Sequence, residues 1–158
     1  MKPTDGAGLI EQILKEDLDL TNEEVVAAAG LTEEQGIQLW RNLGFPDPGN
    51  EAVFGKSDIQ AATIVAATID HGIMDERTVF RLTRALGQTM ARLADWEVTI
   101  LIDQLESDVS EGRQDSRLDA ALALAGSATN EFDRLLLHVW HRHLAAAAMR
   151  LETRGAND

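Results

Sequence analysis

From Asp75 to Glu106, apolar side chains recur at alternating steps of three and four: Val79, Leu82, Leu86, then Leu93, Trp96 and Ile100, with Thr89 interrupting the series. That spacing puts them on one side of an α-helix. At 1.5 Å per residue the helix spans about 45 Å. A domain built from 158 residues with 44% apolar content cannot cover one side of so long a rod by itself. A second copy of the chain is therefore expected against this helix, as a homodimer; the alternative is a central helix wrapped by its own neighbours. Arg81, Arg84 and Arg92 lie on the opposite side, as a solvated face or as partners for Asp95 and Glu97. Aromatic residues make up only 4% of the chain, and no run of alternating β-branched residues is bounded by turn residues. An all-α fold is expected.

Helix starts are marked by three capping boxes, in which a hydroxyl caps the first turn and a Glu or Gln three residues on reaches back. They are Thr21 with Glu24, Thr32 with Gln35, and Ser57 with Gln60. Asp75 is a fourth cap, following Gly72, which would close the preceding helix. The reading is helices over 6–17, 22–29, 33–43, 58–71, 76–106, 116–125 and 131–153. Polar breaks fall at 107–116 and at Gly126-Ser127-Ala128-Thr129-Asn130. The whole, 1–158, reads as a single domain with a helix-turn-helix-like module at 21–71 and a long helix with C-terminal helices at 75–154.

Within that module, Gly30-Leu31 joins two short helices, the second ending at Trp40-Arg41 before the turn Gly44-Phe45-Pro46-Asp47-Pro48. Val53-Phe54-Gly55 could add a short wing strand. This is helix-turn-helix spacing, so DNA binding has to be weighed. From Thr21 to Glu76 the acidic residues are Glu23, Glu24, Glu33, Glu34, Asp47, Glu51, Asp58, Asp70, Asp75 and Glu76, ten against the two bases Arg41 and Lys56. Affinity for a phosphate backbone comes from Lys and Arg displacing counterions, and such a surface repels it. No nucleic-acid partner is expected. Trp40 then reads as core, and Arg41 as a cation placed well at a helix C-terminus.

Three of the four histidines fall in His138-Val139-Trp140-His141-Arg142-His143. At about 100° per residue, His138 and His141 share a side while His143 lies far round, so the three cannot converge on one metal ion. No metal site is expected. On the same angles Leu136, Leu137, Trp140, Leu144, Ala147, Ala148 and Leu151 form one apolar stripe. His141 and His143 flank it, and His138 lies on the polar side. A ring at the edge of an apolar stripe has its charged form disfavoured when the stripe packs, so packing and protonation compete. The alternative is an amphipathic helix edge with no special role.

A net charge of -13 disfavours anionic membranes as well as nucleic acid. No stretch approaches the roughly 20 apolar residues of a membrane span. The N-terminus MKPTDGAGLIEQ lacks the apolar block of a secretory signal, and the chain has no cysteine; a cytoplasmic protein without disulfides is expected. Nucleophile elbow, Walker loop and dinucleotide fingerprint are all missing, and no strands are expected to carry metal-binding Asp residues. No catalytic residue is assigned, and the chain by itself is not expected to be an enzyme.

Three segments, LTNEEVVAAAGLTEEQGIQLWRNLGFPDP, RLTRALGQTMARLADWEV and HVWHRHLAAAAMR, resemble the N-terminal regulatory domain of actinobacterial class III adenylate cyclases, from about Leu20 to Arg150. The first also resembles, more weakly, the DNA-binding module of MerR-type regulators. The cyclase resemblance implies an all-helical, pH-sensing, autoinhibitory domain that dimerises ahead of a catalytic domain and can bind a fatty acid. It points to His141, His143, His138 and Arg142 as the switch segment. With the two long apolar faces it also suggests an acyl pocket formed by Met90, Leu93, Ile100 and Leu101 on the long helix and by Leu137, Trp140 and Leu144 on the last. No other cofactor is expected. Arg150 to Gly155 would suit a connector to a following domain. The alternatives are a MerR-type transcription regulator and a stand-alone fatty-acid-binding protein.

Overall fold

The computed structural model describes Ile10, residues 13–112 and residues 117–155, the last stretch with side chains from Glu131 onward. It is all helical. The helices are α1 (Asn22–Ala29), α2 (Glu33–Leu43), α3 (Lys56–Asp70), α4 (Glu76–Ser110) and α5 (Arg117–Gly155). Among the described residues no strand forms. Where a wing strand was expected there is a single antiparallel bridge between Leu20 and Phe54, closed by Leu20 N–H to the Phe54 carbonyl at 2.9 Å and Phe54 N–H to the Leu20 carbonyl at 3.0 Å. Leu20 belongs to no second strand that could extend the ladder. The chain divides into two units, Lys15–Ser107 and Met1–Leu14 with Asp108–Asp158.

In the first unit, local chemistry sets the helix starts. Thr21 and Glu24 exchange the two bonds of a capping box: the Thr21 N–H donates to Glu24 at 2.8 Å, and the Glu24 N–H donates to the Thr21 hydroxyl at 3.3 Å. Thr32 and Gln35 do the same at 3.0 and 3.1 Å. Asp75 accepts from the Thr78 N–H at 2.7 Å and starts α4. Gly30 and Gly44 end α1 and α2 at φ of 80° and 83°, a left-handed conformation that costs glycine nothing.

The start of α3 differs from the expected Ser57–Gln60 box. Gly55 is the N-cap, its N–H donates to Asp58 at 2.8 Å, and the Ser57 N–H donates to the Glu16 carboxylate at 3.0 Å. A carboxylate from upstream outcompetes Gln60 because a charged acceptor bonds orphan N–H groups more strongly than a neutral amide. This explains a second difference. The helix expected over 6–17 stops before Lys15, which stands at φ 56° and turns the chain so that Glu16 meets α3; the earlier part of that expectation, apart from Ile10, Ile13 and Leu14, lies outside the described residues.

The core of this unit joins Val25, Val26 and Ala29 of α1, Leu39 and Trp40 of α2, Ala62 and Ala66 of α3 and Phe80 of α4, with Leu31 and Phe54 from the connections. Small residues on α3 let the helices approach closely. Gly36 lies so near Val26 that a Cβ there would collide with its side chain, and at Gly87 a Cβ would come 2.6 Å from Leu43 Cα. α4 thus crosses the end of α2 in direct backbone contact. The Asn42 amide reinforces the crossing by donating to the Phe80 carbonyl at 3.1 Å.

α4 buries Val79, Phe80, Thr83 and Gly87; of the expected series Val79 is buried and the rest are not. At about 100° per residue these four, with half-buried Met90, form one stripe. Leu82, Leu86, Leu93, Trp96 and Ile100 form another, about 110° round the helix. The first is covered because Gly87 permits contact with α2. The second leaves Leu82 and Leu86 each 52% exposed and Trp96 66% exposed.

α4 continues to Ser110 and closes at Gly112, whose N–H donates to the Val109 carbonyl at 3.1 Å. The break expected from Ser107 is therefore shorter, and residues 113–116 lie outside the described residues. In the second unit, α5 runs unbroken for 39 residues, so the expected stop at 126–130 does not occur and the two helices expected over 116–125 and 131–153 are one. Gly, Ser, Thr and Asn each cost a helix interior only about 0.5–1 kcal/mol relative to Ala. Alanine- and leucine-rich flanks carry the helix through, since propagation needs no new nucleus.

Candidate functional site

The histidine segment lies in the second half of α5. His138, His141, Arg142 and His143 are all exposed there, and the Trp140 and His141 rings stand 4.9 Å apart at 38°. Of the apolar stripe, Leu136 and Ala147 are half-buried, while Leu137, Trp140 and Leu144 are each 53% exposed. Phe132, Leu135 and Val139 are exposed as well. On helical angles they form a second apolar strip, and His143 lies between the two. This position was missed by a reading that followed one stripe only.

Of the residues assigned to an acyl pocket, Met90 and Leu93 are half-buried on α4, while Ile100 and Leu101 are exposed. Leu137, Trp140 and Leu144 belong to the other unit. Two open recesses of the first unit lie along α2 and the turn that follows it. One of about 840 Å³ is lined by Glu33, Glu34, Ile37, Gln38 and Arg41 among others. A smaller one, about 50 Å³, is lined by Ile37, Trp40, Phe45, Pro46 and Asp47 with Arg41 and Pro48.

Trp40 is core, as expected, at 1% exposure. Its indole N–H donates to the Asn22 side-chain oxygen at 2.7 Å, which satisfies both groups in a buried place where an orphan would cost about 1–3 kcal/mol. Sequence reasoning passed over Asn22; its position beside the Thr21 cap looked like ordinary helix-start chemistry. It also passed over Glu16, whose partner lies 41 residues away. The Ser57 hydroxyl and N–H hold the Glu16 carboxyl below the usual carboxylate range. Burial pushes Asp58 up against the opposing pull of the Gly55 N–H, and the nearby Glu16 charge adds to the rise. The Thr21 bonds lower Glu24 and the Thr78 bonds lower Asp75. Each perturbed carboxylate thus caps a helix, and such shifts have a structural origin here.

Among the described residues no group of three or more His, Cys, Asp or Glu could hold a metal ion, and no helix is long and apolar enough to cross a membrane.

What the structure defines is an all-helical protein with a capped, packed module and long helices that carry exposed apolar stripes. No protein-family model matches it. It is similar to an adenylate cyclase of Streptomyces coelicolor, 27% identical over 146 residues covering 92% of this chain and 38% of that one. Similarity to an adenylate cyclase of Streptomyces griseus is 28% over 139 residues, covering 88% and 34%. For one of Glutamicibacter nicotianae it is 25% over 149 residues, covering 94% and 37%. The chain is related to one region of adenylate cyclases and spans little more than a third of the length of these relatives.

Proposed function

We propose that this chain is the regulatory part of an adenylate cyclase of class III, non-catalytic itself and acting on a catalytic domain attached to it. The observation that carries this reading is the pattern of coverage. About nine-tenths of the chain aligns with three cyclases, yet it accounts for little more than a third of each. The chain works as a homodimer. The uncovered stripe of α4, Leu82, Leu86, Trp96 and Ile100, is the kind of surface a second copy would bury, at about 25 cal/mol per Å² of apolar area.

Regulation is by pH, through α5. When the stripe containing Leu137, Trp140 and Leu144 docks, His141 and His143 at its edges lose water, and burial disfavours the imidazolium. Docking is then favoured where the rings are neutral and opposed where they are charged. His138, on the other side, and Arg142, charged throughout, tune rather than drive the change. The same apolar faces suit a fatty acyl chain, which gains about 0.8 kcal/mol for each CH₂ buried.

The experiment is to fuse the chain ahead of a class III cyclase catalytic domain and compare its rate between pH 5.5 and 8 with that of the catalytic domain alone. The fusion should change rate at least several-fold more across that range, and His141→Gln with His143→Gln together should flatten the difference while His138→Gln does not. Identical pH profiles for fused and free catalytic domains would sink the proposal.

A further inference from the structure

The outward side of α2 carries two adjoining recesses that share Ile37 and Arg41. Their floor is firm. Trp40 beneath is pinned by its bond to Asn22, Phe45 stacks on it with ring centres 6.0 Å apart and planes 13° from parallel, and the Asp47 carboxylate holds the following turn by accepting from the Gly49 N–H at 3.0 Å. Two apolar side chains nevertheless stand open to water here, Ile37 at 39% and Phe45 at 45%, with Pro46 beside them. The rim is acidic, with Glu33 and Glu34 at one end and Asp47 at the other, against the lone base Arg41.

An apolar strip between carboxylates selects its partner by charge. Nucleic acid and anionic lipid are repelled by such a rim. An acidic protein segment would be repelled too. A segment with apolar residues along one side and Lys or Arg along its flanks matches both features, the apolar side on Ile37, Phe45 and Pro46 and the cations on Glu33, Glu34 and Asp47. The geometry points to this face of α2 as a docking site for a cationic amphipathic helix of a protein partner. The assignment holds whether or not the chain regulates a cyclase.

The test uses the full chain, ¹⁵N-labelled, titrated with two synthetic helical peptides of about 18 residues that share one leucine pattern and carry Lys or Glu at the polar positions. The Lys peptide should shift the amides of residues 33–41 and 45–47 and bind at least about tenfold more tightly than the Glu peptide, with affinity falling steeply as salt rises. Ile37→Ser should weaken binding about tenfold while the chain stays folded, as its retained amide spectrum would show. Glu33→Gln with Glu34→Gln should remove much of the salt dependence. Arg41→Gln should tighten binding, because it deletes the one opposing charge. Shifts confined to α4 or α5, equal binding of the two peptides, or wild-type affinity in Ile37→Ser would each overturn the proposal.

Discussion

The module around Trp40 and the second half of α5 are built from similar residues and end in opposite states. Each centres on a tryptophan within a helical apolar stripe. Trp40 is 1% exposed, with its N–H bonded and two aromatic rings against it, Phe45 at 6.0 Å and Phe54 at 4.8 Å. Trp140 is 53% exposed and its recorded ring neighbour is His141, next to it in sequence. What separates them is the company each stripe finds. α1, α2 and α3 are short and capped, and the chain turns back at Gly30 and at Gly44, so their stripes fold onto one another. A 39-residue helix cannot fold back on itself.

The largest effect that would test this contrast is truncation of the two tryptophans. Trp40→Ala should cost roughly 3–5 kcal/mol, a large part of the 5–15 kcal/mol that holds a typical domain together, and should move the module's urea midpoint sharply downward. Trp140→Ala should leave that midpoint nearly unchanged. An equal loss from both would mean that the α5 stripe is packed as tightly as the core, and the contrast would fail.

Next in size is the crossing of α4 over α2. Gly87→Val drives a branched side chain into the backbone at Asn42 and Leu43, and overpacking of this kind costs about 1–3 kcal/mol. Ala85→Val, on an exposed position of the same helix, should cost only a few tenths of a kcal/mol through helix propensity. Thermal melts of the two variants compare them directly, and equal melting temperatures would mean that the close crossing does not matter.

Smaller again is the loss of a cap. Thr32→Ala removes the hydroxyl that accepts from the Gln35 N–H and should lower stability by about 1 kcal/mol, read from the urea midpoint.

The smallest effect concerns the start of α3 and depends on pH. The Glu16 carboxyl is lowered in the folded chain from an ordinary value of 4.5, so what it contributes is present above that value and fades as pH falls through the lower folded one. Glu16→Gln should therefore reduce exchange protection of the Ser57 amide at pH 6 and differ less from the parent near pH 3. Asp58 runs the other way. Its carboxyl is raised from 3.8, so its ionised form is disfavoured in the folded chain, and Asp58→Asn should hold or raise stability at neutral pH. A pH-independent difference between Glu16→Gln and the parent would show that the side chain acts by shape rather than charge.

Where a signal lay within three or four residues, the fold was legible. Thr21 with Glu24, Thr32 with Gln35, and Asp75 before Thr78 marked helix starts because a cap is chosen by its immediate neighbours. Ser57 looked identical by the same rule, and there the rule failed, since a stronger acceptor arrived from Glu16. Gly126 to Asn130 looked like a stop but was overridden by the helix on either side. The histidines could be placed on their helix and at the edges of the stripe from spacing alone, which suggested a competition between packing and protonation; the resemblance added the expectation of pH sensing. The α2 recesses were not legible, because they need Phe45 folded back onto Trp40 across the turn at Gly44.

By itself, the sequence determined the all-helical class, the starts and ends of α1 to α4 within a few residues, and a strongly acidic net charge. All of these follow from short-range hydrogen bonding, from helical periodicity, or from charges that sum regardless of fold. Only the tertiary structure decided which of α4's two apolar stripes is buried, which carboxylate caps α3, and that the Trp40 N–H donates to Asn22. Each of those is a competition between groups far apart in the chain, and it is settled by which backbones can come close enough to touch, as Gly36 and Gly87 allow.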